Sequence, residues 1–188
     1  MNLLALDSRW QRFNDENWAC PCCGQTFSGV FDIGFDHPDS WPHGSPRDLG
    51  QPELQVGEDK LSRDLCRYQD HRFICGLLSL PIKGSDEVLA MAVWASATPD
   101  TFYRYIDFAT GETSEFTSSP AWLMNDLPLF ASEDLIGCEI WQGEDGQRPR
   151  FVVTDGPLAQ VQAEGISFDQ LLDIYAATGT EVRAHLMG

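Results

Sequence analysis

Cys20 and Cys23 stand three positions apart in the run Trp18-Ala19-Cys20-Pro21-Cys22-Cys23-Gly24, and no other stretch constrains the fold so tightly. Two thiolates at that spacing grip one tetrahedral ion, and the glycine after them frees the backbone to turn its amides toward the sulfurs. The pattern is the half-site of a zinc knuckle or of a redox dithiol. Reactive thiolates need a nearby cation or a helix N-terminus to lower their pKa, and Gln25-Thr26-Phe27 promises neither. The metal reading is therefore the stronger of the two.

A second pair of ligands has to come from elsewhere in the chain. Residues 64–68 and 73–80 are extended apolar segments separated by Gln69-Asp70-His71-Arg72, which has the polarity of a hairpin turn. If the loop between Tyr68 and Phe73 is even in length, of two or four residues centred between Asp70 and His71, Tyr68 is in register with Phe73 and Cys66 falls opposite Cys75. Directly opposed residues have Cβ atoms about 4.5–5.5 Å apart, from which two thiolates can converge on an ion with bonds of about 2.3 Å. The expected site is thus a closed, structural zinc held by Cys20, Cys23, Cys66 and Cys75. A mixed second half drawn from Cys66, His37 or His43 is the alternative, and both strand cysteines also suit plain core packing. Cys138 reads as core, while His71 in a turn and His185 near the carboxyl end read as solvated.

Lys83-Gly84-Ser85-Asp86-Glu87 supplies another turn before the apolar run 88–97, so that 64–97 reads as a three-strand antiparallel meander. Thr98-Pro99-Asp100 starts a helix, with threonine as cap and proline in the first turn. Ser167 and Gln170 form a capping box before a second one. Short strands are expected at 139–141 and 151–153. The segment 36–57 carries Pro38, Pro42, Pro46 and Pro52 among glycines and reads as a long surface loop. The pattern predicts one α+β domain over 1–188, with a mostly antiparallel sheet and two or three helices.

Charge limits the partners. A formal net charge of −17 opposes binding to nucleic acid or to an anionic membrane surface through a generic basic patch. The longest apolar run falls far short of the ~20 residues needed to span a bilayer. Met1 to Asp7 lacks a basic n-region, and six cysteines without an export signal fit reduced thiols or metal ligands, so a cytoplasmic location is expected. The motifs of zinc proteases, serine hydrolases, P-loops and dinucleotide sites are all missing.

Several further segments carry a resemblance: Cys20, Cys23 and Gly24; Asp64-Leu65-Cys66 with Asp70 and Phe73-Ile74-x-Gly76; Val93-Trp94-x-Ser96; and Pro157-Leu158-Ala159 leading through Gln162 to Gly165-Ile166-Ser167. In order and spacing they resemble the bacterial family known as domain of unknown function 2199. The resemblance implies a small cytoplasmic bacterial domain without an assigned reaction. Cys75, Gly156 and Val161 depart from the family pattern, where arginine, histidine and an acid are usual. The expected function is a zinc-stabilised, non-enzymatic binding module for an unidentified protein partner. Two alternatives stand beside it: a hydrolase or transferase with an unidentified carboxylate site, and an immunity-type inhibitor of a toxic enzyme.

Overall fold

The computed structural model describes residues 3–144 and 146–187. The chain begins with helix α1 (Ser8–Asn14), capped by the Asp7 carboxylate accepting from the Arg9 amide, and passes through the cysteine knuckle to the short strand β1 (Ile33–Gly34). Next come β2 (Glu53–Val56), β3 (Asp59–Ser62), β4 (Leu65–Tyr68), β5 (His71–Pro81) and β6 (Val88–Ala97). Helix α2 (Pro99–Ala109) leads to β7 (Ser119–Leu123), β8 (Gly137–Trp141) and β9 (Arg150–Val153). Helices α3 (Gly156–Glu164), α4 (Phe168–Ala177) and α5 (Arg183–Leu186) complete the fold.

The meander expected over 64–97 is present as β4, β5 and β6, but it is one part of a nine-stranded sheet that closes on itself. Strand β5 pairs with β6 along its length and, on its other edge, with β4 and then with β9, so that β5 to β9 form a barrel. The β1–β6 and β5–β9 pairings are parallel and the rest antiparallel. Gly76 marks the exchange of partners. A Cβ added there would lie 2.5 Å from the Phe151 ring and 2.8 Å from the Pro149 carbonyl oxygen, so only glycine lets β9 approach. Behind it the Arg148 Nε donates to Asp64 at 2.6 Å, tying the start of β4 to the start of β9.

Three expectations need correction. The described residues contain five α-helices rather than two or three, because α1, α3 and α5 are short segments with weak apolar periodicity. The hairpin turn is centred on Gln69 and Asp70 rather than on Asp70 and His71, with Tyr68 paired to His71 and Gln69 at a φ of 51°; Cys66 therefore faces Phe73, and Cys75 is not opposite it. The third strand decides this register, since Asp59 Oδ1 accepts the Gln69 amide at 2.9 Å and holds the tip there. Finally, the segment 36–57 is anchored rather than free: Trp41 is 3% exposed, and residues 53–56 form β2.

The two faces of the central strands explain the two cores. Even-numbered positions on β5 and odd-numbered ones on β6 enter the main core with α1, α2 and α4. Their opposite faces pack Cys75 and Trp94 with Trp41, Leu61, Cys66 and Phe73 in a smaller cluster. Beyond the end of the β6–β7 ladder, the buried Asn125 takes over: its Oδ1 accepts the Trp94 amide at 2.8 Å and its Nδ2 donates to the His37 carbonyl at 3.0 Å. The helix starts read at Thr98 and Ser167 are both present, each side chain accepting from the backbone amide three residues on.

Candidate metal centre

The knuckle follows from local rules. Ala19 and Thr26 form an antiparallel bridge, the Cys20 amide donates to the Gln25 carbonyl at 2.8 Å, and the Gly24 amide returns to the Cys20 carbonyl at 2.8 Å. Gly24 takes a φ of 75°, the left-handed region that glycine enters without a steric cost. This tight reversal turns the three sulfurs toward one side. Cys20 is buried, and Cys22 and Cys23 are exposed.

The fourth group arrives from the far end of the chain. His185 sits on α5, whose flanking Val182 and Leu186 are fully buried. Arg12 Nη1 of α1 donates to the Leu186 carbonyl at 2.6 Å, and Arg183 bridges to Asp169 and Asp173 of α4. Thus clamped, the helix sets the His185 Nδ1 at 3.3 Å from the Cys23 sulfur and its ring 6.1 Å from that of Phe27. Cys20 and Cys22 sulfurs lie 3.0 Å apart. One ligand atom from each of Cys20, Cys22, Cys23 and His185 falls within 4.8 Å of all the others. A tetrahedral ion with Zn–S bonds of about 2.3 Å spaces its ligands about 3.8 Å apart, so the cluster has the dimensions of a metal site.

Its electrostatics suit a cation. The neighbouring Cys22 thiol and the His185 ring hold the Cys20 thiol down to about 6, while the Cys20 and Cys23 sulfurs push Cys22 up to about 11. Crowded thiolates repel one another, and a divalent ion at their centre relieves that repulsion while displacing the protons.

Of the four ligands expected from spacing, the structure brings Cys20 and Cys23 together and does not bring Cys66 or Cys75 to them. Those two are buried in the smaller core, where loss of solvation pushes each thiol up to about 12. Cys138 is likewise buried, as read from the sequence. His37 turns its Nδ1 to the Pro38 carbonyl, and His43 meets Asp59 at 2.9 Å. Cys22 and His185 were missed. Cys22 breaks the two-residue spacing, and nothing local in the sequence distinguishes a histidine 162 positions after Cys23 from a solvated one.

Asp7, Asp59 and Asp169 depart from the ordinary range, all downward: Asp7 and Asp169 chiefly through Arg9, and Asp59 through the Gln69 amide and then His43.

The comparison with known families settles the kinship: a family model described as an uncharacterized protein conserved in bacteria, DUF2199, matches residues 19–166. The chain belongs to this family. The match begins just before the knuckle, so the three cysteines lie within the DUF2199 region and His185 lies beyond it. No curated protein and no solved structure matches the chain. Among the described residues no helix is long and apolar enough to cross a membrane.

Proposed function

We infer that this DUF2199 chain is a zinc-stabilised, non-enzymatic binding module, with Cys20, Cys22, Cys23 and His185 as the ligands. One observation carries the metal reading: four ligand atoms from two distant segments within 4.8 Å of one another. Three thiolates and one imidazole form a ligand set typical of structural zinc, and four protein ligands leave no position for a catalytic water. The ion would fasten the amino-terminal knuckle to the carboxyl-terminal helix. Its binding free energy then becomes folding free energy.

The net charge of −17 favours a basic or neutral protein surface as the partner. Elemental analysis of protein purified without added metal tests the central claim, with about one zinc per chain expected for a site of this type. A chain with well under one zinc, whose stability ignores a strong chelator, overturns it.

A further inference from the structure

Acidic residues outnumber basic ones 29 to 12 in this chain, yet one cleft gathers three arginines. About 520 Å³ in volume, it opens between the proline-rich segment and the turn from β3 to β4. Arg47, Arg63 and Arg148 line it, with Asp36 as the one carboxylate among the described residues of its walls. Gly34 and Ala92 also line it, and a Cβ on Gly34 would press to 3.2 Å from that of Ala92.

The partners of these groups differ in a telling way. Asp36 is occupied, meeting Arg47 at 3.2 Å and accepting from the Ser45 hydroxyl at 3.1 Å. Arg148 is fixed in place by Asp64 at 2.6 Å and by the Arg63 carbonyl at 3.1 Å. The Arg63 guanidinium makes no hydrogen bond or ion pair among the described residues. Asp36 and Asp64 already compensate Arg47 and Arg148, so Arg63 carries the cleft's one guanidinium charge without a carboxylate beside it among the described residues.

We propose that this cleft binds a small phosphorylated molecule, with Arg63 as the principal anchor of the phosphate and Arg47 and Arg148 flanking it. The three arginines come from separate segments, with Arg148 held against the backbone of Arg63. That arrangement suits a tetrahedral dianion with several acceptor oxygens better than a planar carboxylate, which one guanidinium fork satisfies. The volume lies within the range of small-molecule sites. The site shares no residue with the cysteine cluster and stands whether or not that cluster holds metal.

Calorimetric titration of the full chain at low ionic strength tests this, with inorganic phosphate, ribose 5-phosphate and citrate as probes. Saturable binding of either phosphate compound is expected, and the tighter of the two identifies the source as free phosphate or a phosphomonoester. Arg63→Gln should weaken it about tenfold or more, because a charge-assisted contact is lost. Its melting temperature should stay unchanged, since the side chain has no partner within the fold. Arg150→Gln, outside the cleft on β9, should leave binding intact. Absence of saturable binding up to tens of millimolar, undiminished binding by Arg63→Gln, or a preference for citrate would overturn the proposal.

Discussion

The Nδ1 of His185 lies 3.3 Å from the sulfur of Cys23, joining residues 162 positions apart. A bond through a shared ion would close nearly the whole chain into one loop, restricting the unfolded state most where the loop is longest. Removing His185 should therefore loosen α5 from the knuckle. In His185→Ala, zinc content should fall, and a loss of about 3 kcal/mol would lower the melting temperature by about 6–12 °C for a chain of this size. Cys138→Ala should also destabilise, through lost packing, but should keep its zinc. Equal zinc in both variants would contradict the assignment.

Gly76 has no room for a side chain beside Phe151 and Pro149. Gly76→Ala should push β9 away from β5 and open the barrel at its parallel seam. Overpacking of this kind costs about 1–3 kcal/mol. Urea unfolding should show the lowered midpoint, and a midpoint equal to the parent's would mean that the seam yields freely.

Asn125 serves as a backbone surrogate where the β6–β7 ladder ends. Asn125→Ala leaves the Trp94 amide and the His37 carbonyl without their partners, at about 1–3 kcal/mol for each group that water fails to reach. The segment around Asp39 should loosen with it, since Asp39 also pairs with the Asn125 side chain. Faster proteolysis within residues 36–52 than in the parent is the expected readout.

Asp169 carries the acid sensitivity of the carboxyl-terminal helix. Arg9 and then Arg183 hold its pKa below the ordinary value, so its contribution to stability is present above the unfolded carboxyl pKa of about 3.9. It is lost as pH falls through the lower folded value. Melting temperature should thus begin to fall from this source only below about pH 4. Asp169→Asn should be less stable at neutral pH and show a shallower acid limb. Because the carboxylate is 55% exposed, the effect should be modest and shrink with added salt.

Duplex nucleic acid should not bind. An excess of 17 negative charges repels the phosphate backbone, and the arginine cleft is too small to track it. Sub-micromolar retardation of random duplex at low salt in a mobility-shift assay would refute this.

Local rules made much of the fold legible. The caps at Thr98 and Ser167, the strands around Phe73 and Trp94, and the reversal after Cys23 each follow from a few neighbouring residues, whose conformational preferences act without reference to the rest of the chain. The knuckle and the acidic balance were determined in the same way. The tertiary structure alone decided which groups meet. Register depends on a contact between Asp59 and Gln69 across strands, and moving the expected Tyr68 partner from Phe73 to His71 took Cys75 away from Cys66. Barrel closure depends on Phe151 finding the gap at Gly76. His185 reaches the cysteines only because Arg12, Arg183 and two buried aliphatic residues seat its helix against α1 and α4. Long-range placement of this kind is a sum of many packing contacts with no periodic trace in sequence, which is why spacing identified two of the cluster's cysteines and only the folded chain supplied Cys22 and His185.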